Sequence, residues 1–187
     1  MTRPGGVFRR AASRRPEGPP LPHGADWLWQ VPLAEVAAAR PASGMTLAPG
    51  LRLFFEGGDA PEVAPGDGGL AVTPGAGLAY LSLAIDLAPE ALRGLSRDHL
   101  LRLDLSVRVT APRSTVRLNL RHGPNVEQVV EALPESGDGA VEFDMWPLPA
   151  MVLQADAGWI DLILERPAPG PLLIRELTLS RLPRARF

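Results

Sequence analysis

A chain of 187 residues, 45% apolar and 21% charged, is long enough to bury one sizeable core, and a formal net charge of −2 gives no reason to expect nucleic acid. With no cysteine, disulfides, thiolate metal sites, iron–sulfur clusters and cysteine nucleophiles are excluded. All nineteen basic residues are arginine, a bias that GC-rich coding explains together with the abundant Ala, Gly and Pro, and no stretch approaches the ~20 apolar residues of a membrane span.

Residues 1–25 stand apart. Five Arg against one Glu (5 − 1 = +4) sit among Pro and Gly with too little apolar surface to fold, which predicts a disordered Arg/Pro-rich tail. Arg9-Arg10 and Arg14-Arg15 lack an apolar run behind them, so neither a secretory nor a twin-arginine signal is expected, and cytoplasmic is the default localisation. Residues 26–44 read as an arm. Trp27 and Trp29 share a face if the segment is extended, as Pro32 favours. They either cover an apolar edge of the domain or dock a partner. A helical turn over 33–40 is expected to stop at Pro41.

From residue 45 to 187 the pattern is that of strands. They are expected at 51–56, 70–73, 78–87, 100–109, 116–121, 126–133, 141–145, 159–165 and 172–181, with one turn of helix or a loop at 89–95. In 100–109, Leu101, Leu103, Leu105, Val107 and Val109 face inward and Arg102, Asp104, Ser106 and Arg108 outward. In the final strand the apolar positions run 172, 174, then 177, 179. That change of phase predicts a β-bulge near Arg175. About nine strands joined by Pro/Gly/Asp turns, here including Ala111-Pro112-Arg113, predict an all-β fold: an antiparallel β-sandwich of jelly-roll type, with an extended N-terminal arm.

The densest set of directional polar groups is at 117–128. Arg117, Asn119 and Arg121 alternate with Val116, Leu118 and Leu120, and His122, Asn125, Glu127 and Gln128 follow around Gly123-Pro124. This predicts a recognition surface in which Arg117, Asn119, Arg121, His122, Asn125 and Gln128 bind ligand and Trp146 or Trp159 supplies a stacking surface. Reaction chemistry has less support. There is no Gly-x-Ser-x-Gly elbow and no His-Glu-x-x-His. A two-histidine metal site would need His99 and His122 on neighbouring strands. Glu142 and Asp144 lie about 6–7 Å apart on one face, but cross-strand pairs with residues such as Arg102, Arg117, Arg121 and Arg175 account for them. No enzyme is predicted; the remote alternative is a glycoside-active one built on Glu142, Asp144 and His122. No cofactor is expected either. The weak Ca²⁺ candidates Glu56, Asp59 and Asp67 lie in Gly-rich turns that use such residues anyway.

Together, Tyr80-Leu81-Ser82-Leu83-Ala84-Ile85-Asp86-Leu87, the segment from Leu118 to Asn125 and the strand from Ile174 to Leu179 resemble the galactose-binding-like jelly rolls used as carbohydrate-binding modules. The chain also resembles an uncharacterised bacterial family of unknown function in Asp26-Trp27-Leu28-Trp29, His122-Gly123-Pro124-Asn125-Val126-Glu127-Gln128 and Trp159-Ile160-Asp161-Leu162-Ile163. The first resemblance implies ligand on a concave sheet face or the loops at one edge, held by aromatics with Arg, Asn, Gln and acidic hydrogen bonders; a structural Ca²⁺ is common in it. Few aromatics sit in the loops here. The predicted function is a non-catalytic binding module for carbohydrate or surface polysaccharide. The alternative is a structural or interaction protein that docks a protein partner through Trp27, Trp29 and the Arg-rich tail. Nucleic acid and a membrane span are not expected.

Overall fold

Alternation of side chains builds the architecture. In the strand His99–Arg108, Leu101, Leu103, Leu105 and Val107 are buried while Arg102, Asp104 and Ser106 keep part of their surface. The same period of two recurs in most of the strands. The computed structural model describes residues 24–108, 113–135 and 137–185. Most of the predicted tail, through residue 23, lies outside the described residues, as do Val109 and the Ala111-Pro112 turn.

Among the described residues, twelve strands and one α-helical turn follow in chain order: β1 Trp27–Gln30, β2 Met45–Ala48, β3 Leu51–Glu56, β4 Glu62–Gly66, β5 Gly69–Thr73, β6 Tyr80–Asp86, α1 Pro89–Leu92, β7 His99–Arg108, β8 Arg113–His122, β9 Asn125–Ala132, β10 Asp138–Asp144, β11 Ala157–Glu165 and β12 Leu172–Pro183. They form two antiparallel six-stranded sheets. The first runs β10-β7-β12-β5-β4, with β1 also paired to β12; the second runs β2-β3-β6-β11-β8-β9. From β6 onward the chain passes back and forth between them: β6, then β7, then the β8–β9 hairpin, then β10, β11 and β12. That crossing pattern is the jelly-roll character anticipated from the strand spacing. Between the sheets lies one continuous core, with Leu103, Leu105, Leu177 and Leu179 from one side meeting Leu83, Ile85, Leu118, Leu120, Ile160 and Leu162 from the other.

Nine strands were expected and twelve are present among the described residues. The additional ones, β1, β2 and β4, have only four or five residues each, too few for a periodicity to declare itself. The anticipated helical turn over 33–40 reduces to a 3-10 turn at Leu33–Glu35. The bulge is where the phase change put it: the β12–β7 register shifts between Ile174 and Glu176, leaving Arg175 without a partner across the ladder. β12 then serves two neighbours along its free side, pairing β5 from Leu172 to Ile174 and β1 from Thr178 to Arg181.

Trp27 and Trp29 belong to β1 and pack half-buried against the core. The ring of Trp29 lies so close to Gly50 that a Cβ there would stand 2.7 Å from it. The arm is thus a strand of the sandwich. It is anchored where Arg181 Nε and Nη2 donate to the Asp26 carboxylate at 2.8 and 3.1 Å, and where Arg181 Nη1 donates to the Ala91 and Arg93 carbonyls at the end of α1.

Candidate functional site: a groove on the second sheet

Residues paired across an antiparallel ladder share a face, so the register defines the outer surface of the second sheet row by row. One row is Asp86, Trp159, Asn119, Gln128; the next is Arg52, Ala84, Asp161, Arg117, Val130; the third is Phe54, Ser82, Ile163, Thr115, Ala132; the fourth is Glu56, Tyr80, Glu165, Arg113. Small side chains on the central strand β6, Ser82 and Ala84, keep the floor low. Larger ones on β3, β11 and β8 rise around it. The result is an open groove of about 1320 Å³. Three aromatics line it, Phe54, Tyr80 and Trp159, as do four arginines, Arg52, Arg117, Arg121 and Arg166, and Leu87, Pro89 and Leu92 on and beside α1.

A buried polar network supports the floor. Asp161 is only 5% exposed and Asn119 is wholly buried, although both point to the outer face. Arg117 Nε and Nη2 donate to Asp161 Oδ2 at 3.2 and 2.8 Å. Asn119 Nδ2 donates to the same oxygen at 3.0 Å, and Asn119 Oδ1 accepts from Gln128 Nε2 at 2.9 Å. A carboxylate taken from water needs this combination of counter-ion and hydrogen-bond donors. Two further pairs flank it: Arg52 Nη2 with Asp86 Oδ1 at 2.5 Å, and Arg121 Nε with Asp156 Oδ1 at 2.9 Å. Three buried side-chain polar atoms have no partner among the described residues, and two of them, Arg52 Nε and Ser82 Oγ, belong to groove-lining residues; the third is Ser180 Oγ on the other sheet.

Of the residues singled out in sequence, Arg117, Arg121 and Trp159 line the groove. Asn119 and Gln128 lie beside it, hydrogen-bonded to each other, and Asn119 has no surface left to offer a ligand. His122 and Asn125 are instead the last pair of the β8–β9 hairpin, closed by Gly123-Pro124. Gly123 has φ +56, and a glycine at the first central position is what a type II′ turn uses. Trp146 follows β10, in the first sheet; it is largely exposed, and the Arg184 guanidinium lies 5.2 Å from its ring centroid.

The remaining candidates do not assemble. Glu142 pairs with Arg102 at 3.0 Å, and Asp144 with Arg184 at 3.2 Å. His99 and His122 lie on β7 and β8, which belong to different sheets and are not ladder neighbours, so the two-histidine arrangement is not formed. No cluster of three or more His, Asp or Glu side chains able to hold a metal ion occurs among the described residues, Glu56, Asp59 and Asp67 included. No helix among them is long and apolar enough to cross a membrane.

Sequence reasoning missed Arg52, Phe54, Tyr80, Ser82, Asp86, Asp156, Asp161 and Arg166. Alternation along 78–87 puts Tyr80, Ser82 and Asp86 on one side of the strand. It could not show that this side faces Trp159 and lies between β3 and β11.

The molecule is therefore an all-β sandwich with a groove recessed into one sheet face. The chain belongs to DUF6478, a family of unknown function, whose pattern matches residues 72–187. No curated protein sequence matches it. Among solved structures it is similar to the xylan-binding module CBM15, at 13% identity and a TM-score of 0.46 over 85% of this chain and 99% of that one. It is also similar to a mutant Xylanase10C from Cellvibrio japonicus in complex with xylopentaose, at 15% identity and a TM-score of 0.40 over 73% of this chain and 28% of that one.

Proposed function

We propose that the protein is a non-catalytic carbohydrate-binding module whose ligand lies along the groove of the second sheet. The observation that carries this is the composition of the groove: three aromatic side chains beside arginine–carboxylate pairs, over a floor kept low by Ser82 and Ala84. Sugars present an apolar ring face and a belt of hydroxyls that both donate and accept. An aromatic surface covers the first, and fixed guanidinium and carboxylate groups meet the second. Trp159 and Tyr80 stand three rows apart, about 20 Å by strand rise, a spacing suited to a chain of several rings. Asp86, Asp156 and Asp161 are each engaged by an arginine, an arrangement that orients ligand groups and is unlike the acid and base pair of a glycosidase.

The test is titration against an oligosaccharide array with wild type and with Trp159→Ala combined with Tyr80→Ala. Binding that weakens at least about tenfold in the double variant supports the reading. If no oligosaccharide binds, or if affinity is the same in both proteins, the groove is not a glycan site.

A further inference from the structure

Arg166 is the only non-glycine residue with positive φ among the described residues, at +47. Twelve others with positive φ are all glycine, the residue for which this conformation carries no steric penalty. At the turn after β11 the chain instead keeps a long cation in the left-handed region, where a side chain costs about 1–2 kcal/mol. The Arg166 N–H donates to the Ala79 carbonyl at 2.9 Å, tying the turn to the start of β6 beside Tyr80.

The charge of Arg166 is also unlike its neighbours'. Of the four groove arginines, Arg52, Arg117 and Arg121 are each held by a carboxylate, Asp86, Asp161 and Asp156. Arg166 lines the groove and has no ion pair or side-chain hydrogen bond among the described residues. The remaining groove carboxylate, Glu165, lies 3.9 Å from Arg113 instead. One end of the groove, next to Tyr80, thus presents a guanidinium with its whole fork available. A carboxylate matches that fork in plane and in spacing.

Resting on the carbohydrate reading above, we infer that the groove selects an acidic glycan, one carrying uronic-acid carboxylates, and that Arg166 is the residue that determines this specificity. Arg166 lines the groove near Tyr80, and the sugar carboxylate supplies the counter-ion that no described residue does.

The experiment compares three oligosaccharides of equal length on the intact protein by calorimetry: a β-1,4-linked glucuronan oligomer, the neutral cello-oligosaccharide of the same linkage, and a sulfated cello-oligosaccharide. Wild type is expected to prefer the glucuronan oligomer over the neutral one by about tenfold to a hundredfold, the range of a charge-assisted bidentate contact. The preference should shrink as salt is raised. In Arg166→Gly the ratio of acidic to neutral affinity should fall to near one. Thermal unfolding of this variant should be no lower than that of wild type, because glycine suits the turn. Equal binding of acidic and neutral oligomers by wild type, or a preference that survives Arg166→Gly, overturns the inference and leaves the groove reading standing. Tightest binding of the sulfated oligomer overturns the carboxylate assignment. Failure of all three to bind overturns the inference; the glycan reading falls with it only if no oligosaccharide of the array binds either.

Discussion

The two outer faces of the sandwich use the same residue types to different ends. On the first sheet, Arg102 lies beside Ser180 in the ladder and reaches both Asp104 at 2.7 Å and Glu142 at 3.0 Å. The Asp104 carboxylate beside it pushes the Arg102 guanidinium even further from losing its proton. Those carboxylates keep much of their surface, 27% for Asp104 and 46% for Glu142. On the second sheet the equivalent charge, Asp161, is sunk into the floor, and Ser82 and Ala84 leave space above it. An ion pair at a wet surface contributes little; one withdrawn from water is indispensable to whatever surrounds it. Depth, set by small side chains on one central strand, separates a solvated face from a groove.

Deleting one carboxylate from each face should separate them most clearly. Asp161→Ala strands Arg117 and Asn119 without their shared acceptor and should lower stability by about 2–4 kcal/mol in urea unfolding. Glu142→Ala should lower it by less than about 1 kcal/mol. Similar losses in the two variants would erase the distinction.

A second pair of substitutions addresses the recess. Ser82→Leu raises the groove floor and should weaken oligosaccharide binding by more than about tenfold, or 1.4 kcal/mol, with the circular dichroism of the sandwich retained. Ser180→Ala removes an unpartnered hydroxyl from the opposite face and should leave binding unchanged and stability within about 0.5 kcal/mol. Loss of binding in the serine-to-alanine variant would show that the two faces are coupled.

The smallest expected effect is a pH dependence at the arm. The hydrogen bond from Arg181 is the largest influence holding the Asp26 carboxyl below its usual range, with the Arg181 charge and nearby His99 adding to it, against some desolvation. A depressed folded-state value means the contribution is fully present above about pH 4 and is lost as pH falls through that folded value. Because Asp26 is close to half exposed, the effect should be below about 1 kcal/mol. Urea unfolding of Asp26→Asn across pH 2–6 should show a flatter acid limb than wild type; identical limbs would mean that Arg181 holds β1 without this carboxylate.

What the sequence revealed follows from the range of each interaction. Alternation is local, so the inward rows of β7 and β8 and the bulge at Arg175 could be read directly. Which strands lie side by side is not local. Arg52 meets Asp86 across 34 residues and Arg117 meets Asp161 across 44, and nothing in either segment names the other. Arg117, Arg121 and Trp159 were legible because their strands carry them outward unaided. Asn119 sits in the same alternation, yet Arg117, Gln128 and Asp161 enclose it, a consequence of packing. His122 and Asn125 drew notice as a polar concentration, which is also what closes a tight hairpin. Arg166 left no trace in the pattern; its backbone angle marks it.

The pairing of β1 with β12 also has a kinetic meaning. Asp26 meets Arg181 across 155 residues, while β8 and β9 close through a two-residue turn. Contacts between distant parts of a chain form slowly, because closing so large a loop carries an entropy cost that must be met before the contact is made. The hairpin should therefore assemble early, and β1 should dock only once the β12 ladder is in place. Since β1 carries Trp27 and Trp29, their indole fluorescence is a native clock for the last step of folding. In stopped-flow refolding, the signal lost on replacing both with Phe should be the slowest phase.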